Sequence, residues 1–123
     1  MQSNDYTDFD YIVSVPLHSS KMRKRGYNQS ELLAKHIAAR LSIPYADVLK
    51  RTKKTIKQSG QSRQERRKNL ANAFAVKGSA EKIIHSSVLL VDDIYTTGAT
   101  VEACSKALVK YGAGKVFVLT IAR

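Results

Sequence analysis

Two periods of apolar residues alternate along the chain. Residues 10–15 (Asp10-Tyr11-Ile12-Val13-Ser14-Val15) predict a strand. Pro16 stops it, because proline has no N–H to continue a ladder. Residues 28–41 predict a helix: Leu33, Ala34, Ile37, Ala38 and Leu41 recur at three- and four-residue spacing on one face. Asn28 is a good cap with Glu31 three residues on, as in a capping box, and Pro44 closes the segment. A short strand is expected over 45–49. Residues 50–69 carry no apolar period, with Ile56 their one aliphatic residue, and read as a long loop of the kind that serves function. Ala71 to Val76 predicts a strand around Phe74. Ser87 to Val91 is an almost unbroken apolar run, as in a strand buried on both faces of a parallel sheet. Residues 99–111 predict a helix with Val101, Cys104, Leu108 and Tyr111 on one face, closed by Gly112 and Gly114. Residues 115–121 predict a last buried strand.

Strands alternating with helices imply an α/β fold: an open, mainly parallel twisted sheet of about five strands flanked by helices. The 123 residues suffice for one core and not two, so residues 1–9 form a tail and residues 10–123 one domain. The longest apolar runs, such as Val88-Leu89-Leu90-Val91, fall far short of the roughly 20 residues of a membrane-spanning helix. Met1 to Asp10 is polar and acidic, unlike a secretory signal, so a cytoplasmic location is expected. With Cys104 as the one cysteine, an internal disulfide framework and a cysteine-rich zinc site are both excluded.

Charge sharpens the picture once it is located. The net charge is +11, yet four basic side chains fall in residues 21–25 and nine in residues 50–68, against the single acid Glu65. The other 99 residues sum to −1. Such concentration suggests a polyanionic partner, either a pyrophosphate or a nucleic acid backbone; the plainer alternative is two solvated basic loops.

The most specific segment is Val88-Leu89-Leu90-Val91-Asp92-Asp93-Ile94-Tyr95-Thr96-Thr97-Gly98-Ala99-Thr100. A buried strand ends in two carboxylates, and a short threonine- and glycine-rich loop then enters a helix. Ligands of open α/β sheets bind at the carboxyl ends of strands. Backbone N–H groups at a helix start, beside the hydroxyls of Thr96, Thr97 and Thr100, make an anion site. Gly98 allows close approach of the backbone, and Ala99 opens the helix. Asp92 and Asp93 are acceptors suited to the two hydroxyls of a ribose. Phosphate at one end and a diol at the other describe a ribose 5-phosphate. A P-loop is excluded, because no Gly-Lys-Ser/Thr follows the strand.

In this order and context the string resembles the signature of the type I phosphoribosyltransferases. Val15-Pro16-Leu17-His18, then Arg25-Gly26-Tyr27-Asn28-Gln29 and Glu31-Leu32-Leu33-Ala34, resemble the ComF branch of that superfamily (competence protein F, or GntX). Arg51, Thr55, Gln58, Arg66, Asn69 and Phe74 sit at the spacing of that branch, and Thr120-Ile121-Ala122-Arg123 fits its close. Gln61 departs from it, standing where an aliphatic residue is expected. The cysteine-rich zinc module typical of the branch does not occur in these residues, so a truncated product or a naturally short member is expected.

The resemblance implies phosphoribosyl pyrophosphate as ligand, with Asp92 and Asp93 as the catalytic carboxylates and Thr96, Thr97, Gly98, Ala99 and Thr100 as the phosphate loop. It implies a pyrophosphate loop from Leu17 to Lys21 including His18, with Lys21 and Arg25 supplying charge. Magnesium would bridge pyrophosphate and ribose hydroxyls, touching the protein at most through Asp92 and Asp93. Residues 52–69, with Gln58, Arg66 and Asn69, would form a lid over the site. Three functions follow: phosphoribosyl transfer to an unidentified acceptor, single-stranded DNA binding in competence, or sensing of phosphoribosyl pyrophosphate without turnover. For DNA, the expected contacts are Lys53, Lys54, Lys57, Arg66 and Arg67, although only Tyr45 lies near them to stack a base. Cys104 reads as a core residue, and His36 and His85 as surface and loop residues.

Overall fold

The computed structural model describes residues 8–16, 28–52, 73–94 and 99–122. Its centre is the strand β4 (Ser87–Ile94). Parallel neighbours cover both of its edges: β1 (Tyr11–Ser14) on one side and β5 (Lys115–Ala122) on the other. Alternation along a strand sends successive side chains to opposite faces. Val88 and Leu90 therefore join one core and Leu89 and Val91 another, and all four are buried. That two-sided burial is why the run has no polar residue from 88 to 91.

Each face is covered by one helix. Helix α1 (Gln29–Leu41) sets Ala34 and Ala38 against Ile12, Leu89 and Val91. Helix α2 (Ala99–Tyr111) sets Val101, Cys104 and Leu108 against Val13, Val88 and Leu90. Small residues on the buried face of α1 let the helix approach the sheet closely, while Leu32 and Leu41 remain exposed. Helix α1 ends at Ser42, whose left-handed backbone (φ 58°) returns its N–H to the Ala38 carbonyl, two residues before Pro44. Helix α2 ends at Gly112, at φ 130°, where an L side chain would be strained. A Cβ on Gly114 would stand 3.0 Å from the His85 carbonyl oxygen, so the α2–β5 turn needs glycine for space.

The five described strands divide into the three-stranded parallel sheet and a separate antiparallel ribbon. Strand β2 (Leu49–Arg51) pairs with β3 (Phe74–Val76), Leu49 opposite Val76 and Arg51 opposite Phe74. The ribbon packs on the α2 side through Leu49 and Phe74. The strand expected over 45–49 thus begins only at Leu49 and ends at Arg51. At Tyr45 there is a single parallel bridge to Ile12, with the Ile12 N–H on the Pro44 carbonyl at 3.0 Å and the Ala46 N–H on the Ile12 carbonyl at 2.8 Å. Lys50 and Arg51, expected in a loop, are instead paired in β2. Strand β4 is longer than expected: it continues through both aspartates, with Asp92 opposite Thr120 and Ile94 opposite Ala122.

Candidate functional site

The carboxyl ends of β1 and β4 and the amino ends of both helices meet at one end of the sheet. Asn28 ties two of these together. Its Oδ1 accepts from the N–H groups of Ser30 (3.0 Å) and Glu31 (3.3 Å), capping α1, while its Nδ2 donates to the Val15 carbonyl at 3.2 Å. The expected cap is therefore present, but Glu31 pairs with Lys35 at 2.8 Å. Asparagine suits this joint because its acceptor and its donor are separate atoms, so Oδ1 can cap the helix while Nδ2 reaches β1. The end of β1 is thereby fixed to the start of α1.

That joint positions Ser30, 4% exposed, whose Oγ donates to Asp92 Oδ1 at 3.0 Å. One oxygen of the half-buried Asp92 is thus held in place by a neutral donor. Asp93 follows in β4 and Thr100 lies in the first turn of α2.

A cation sits on the α2 side of the same sheet. The Arg51 guanidinium carbon lies 4.8 Å from the centre of the Phe74 ring. Burial lowers its pKa, and its Nε is buried with no hydrogen-bond partner among the described residues. Cys104 senses both charges. Its thiol is pushed up to about 12, chiefly by burial, with Asp92 adding to the shift and Arg51 opposing it. Cys104 is fully buried, as a core residue should be. Sequence reasoning did not single out Ser30, and it noted Arg51 only for its spacing. Among the described residues no group of three or more His, Cys, Asp or Glu side chains could hold a metal ion.

Of the residues expected at the site, Asp92, Asp93, Ala99 and Thr100 belong to described elements at this end of the sheet. Leu17, His18, Lys21 and Arg25 lie outside the described residues, as do Thr96, Thr97 and Gly98. So do Lys53, Lys54, Lys57, Gln58, Arg66, Arg67 and Asn69, and with them the expected lid.

A family model described as the phosphoribosyl transferase domain matches residues 28–123. The chain belongs to that family. Relatives agree with the ComF branch of it: Competence protein F of Haemophilus influenzae is 41% identical over 113 residues, covering 91% of this chain and 49% of that protein. DNA utilization protein YhgH of Salmonella typhimurium is 36% identical over 115 residues, covering 93% and 49%. Competence protein ComFC of Streptococcus pneumoniae is 30% identical over 118 residues, covering 96% and 50%. The chain spans about half the length of these relatives. Among solved structures, the fold is similar to the allosteric regulatory enzyme of purine biosynthesis (TM-score 0.62, 20% identity, covering 91% of this chain and 22% of that one). It is also similar to a purine phosphoribosyltransferase from Pyrococcus horikoshii (TM-score 0.59, 18% identity, covering 94% and 62%). These likenesses establish the mainly parallel phosphoribosyltransferase-type fold.

Proposed function

We propose that the crevice beyond β1 and β4 binds phosphoribosyl pyrophosphate with magnesium and transfers its phosphoribosyl group to an acceptor. The observation that carries this reading is Asp92, anchored by Ser30 at the carboxyl end of the central strand, directly before the Thr-Thr-Gly-Ala-Thr run and the start of α2. In this reading Asp92 and Asp93 accept hydrogen bonds from the two ribose hydroxyls. The 5-phosphate sits among residues 96–100, at the positive end of the α2 dipole. Arg51, Lys21 and Arg25 supply charge to the pyrophosphate. The half-buried Arg51 is well suited to this, because partial desolvation strengthens its attraction for an anion.

Transfer forms a bond from an acceptor lone pair to the anomeric carbon and breaks the bond from that carbon to the pyrophosphate oxygen. Pyrophosphate leaves with the electron pair. The sugar passes through an oxocarbenium-like state, and the charge on the leaving group needs stabilisation, which the basic side chains provide. Asp92 and Asp93 are hard carboxylate donors of the kind magnesium takes, an ion that keeps most of its waters and needs few protein ligands. Magnesium, held through Asp92 and Asp93, would supply further charge neutralisation.

A second reading is binding of single-stranded DNA. It rests on the relatives named for competence and DNA utilization and on the two basic segments. A third, sensing without turnover, shares the ligand of the first. Calorimetry with phosphoribosyl pyrophosphate and magnesium tests the ligand, and pyrophosphate release across a panel of nucleobases and other acceptors tests transfer. Saturable binding with release for one acceptor supports the enzyme; binding without release for any acceptor favours the sensor. No binding with magnesium present overturns both.

A further inference from the structure

The end of the molecule opposite Asp92 has a different character. Register pairs Val116 with Val88 and Val118 with Leu90, so both valines lie on the α2 face of β5. Yet Val118 is 45% exposed, and Val109 on α2 is 54% exposed. Between α2 and the start of β5 runs a groove of about 510 Å³, lined by Ser105, Val109 and Val116 and by three lysines, Lys106, Lys110 and Lys115. Lys106 is paired with Glu102 at 3.5 Å. Among the described residues, Lys110 and Lys115 have no ion-pair partner. Among the described residues β5 is also an edge of the sheet: β4 takes one side and no strand takes the other.

We propose that this groove and the edge of β5 turned away from β4 form a docking site for an extended acidic segment of a partner protein. The segment adds as a strand along residues 115–118, sets an apolar side chain against Val109 and Val116 on the α2 face, turns a carboxylate toward Lys115 on the other face, and brings a flanking carboxylate to Lys110. Three observations select this occupant. A free strand edge offers alternate N–H and C=O groups, which a peptide backbone satisfies and a nucleic acid does not. The apolar lining is aliphatic, whereas single-stranded nucleic acid is held by aromatic stacking platforms. Lys110 and Lys115 carry positive charge with no ion-pair partner among the described residues, which carboxylates of a partner complement. The site is at the far end of β5 from Thr120, which pairs with Asp92, so its occupation leaves the crevice open.

The probe is a short fluorescent peptide alternating glutamate with valine, with a lysine–valine peptide of equal length as control. Anisotropy should show saturable binding of the acidic peptide at physiological salt and none of the control. Amide exchange should slow along residues 115–118, and the Val109 methyl resonances should shift. Lys110→Glu with Lys115→Glu, both on exposed positions, should weaken binding at least about tenfold, as two attractions become repulsions. Saturating phosphoribosyl pyrophosphate with magnesium should leave binding unchanged. Equal affinity for wild type and the double variant overturns the proposal, and would assign the peptide to the basic segments 21–25 and 50–68. Oligothymidylate that shifts the same Val109 methyls and displaces the peptide overturns it in favour of nucleic acid. Protection of β5 that appears without peptide, together with sedimentation as a dimer, overturns it in favour of a second copy.

Discussion

Asp92 is central to the functional reading, and its neighbour Ser30 tells how it is held. Replacing Asp92 and Asp93 together by Asn should weaken phosphoribosyl pyrophosphate binding by tenfold or more per carboxylate, since hydrogen bonds to charged groups contribute roughly 1.5–3 kcal/mol. Ser30→Ala removes the donor to Asp92 Oδ1 and should weaken binding less than Asp92→Asn, because the carboxylate remains. Calorimetry on folded variants checks both, and unchanged affinity in the double variant removes Asp92 and Asp93 from the site. The aspartates were legible because strand, carboxylates, loop and helix follow one another in sequence. Ser30 was not, because it lies 62 residues from Asp92 and only the packing of α1 joins them. Buried titrating groups give a second test at this scale. The Cys104 thiol is raised by burial from 9.0 to about 12, and the Tyr45 phenol, also chiefly by burial, from 10.0 to about 12. Above pH 9 the unfolded chain releases these protons while the folded chain retains them. Stability should therefore fall as pH rises from about 9 toward about 12. Urea unfolding at stepped pH should show a shallower decline for Cys104→Ala than for wild type; an identical slope would mean that Cys104 is reached by solvent base in the folded protein.

At the scale of elements, legibility followed the length of the periodic pattern. The pattern over residues 99–111 predicts a helix and α2 occupies Ala99–Tyr111, because four apolar residues mark one face and glycines mark the stop. Strands β2 and β3 have three residues each, too few for alternation to show, and β2 lies partly in the basic run that masks it. Arg51 escaped notice as a site residue for this reason: its placement depends on pairing with Phe74 across the ribbon. The junction of β1 with α1 is the element-level feature most open to test. Asn28→Ala removes the cap of α1 and the donor to the Val15 carbonyl. Loss of a cap costs about 1 kcal/mol, and the unpaired Val15 carbonyl adds to that. Asn28→Asp retains the capping oxygen and loses the bond to Val15, so it should fall between wild type and Asn28→Ala in denaturant midpoint. An aspartate variant no more stable than the alanine variant would mean that the tie to β1, not the cap, dominates.

Taken whole, the molecule combines a near-neutral framework with two strongly basic segments, and that division bears on the DNA reading. If residues 21–25 and 50–68 follow a nucleic acid backbone, binding to single-stranded DNA should be strong at low salt and show little sequence preference. For single strands, log affinity falls against log salt with a slope of about −0.7 per phosphate neutralised. The two segments hold thirteen basic residues. Engaging half of them gives a slope of roughly −4 to −5. Replacing Lys53, Lys54, Lys57, Arg66 and Arg67 by Ala should flatten that slope and leave the phosphate loop intact. If those residues serve pyrophosphate alone, DNA binding should instead be weak, and free pyrophosphate should abolish it. Competition separates the two arrangements. DNA that remains bound under saturating phosphoribosyl pyrophosphate and magnesium occupies a surface of its own, whereas DNA displaced by that ligand shares the crevice beyond β1 and β4. A domain that binds no DNA even at low salt excludes the reading for these 123 residues.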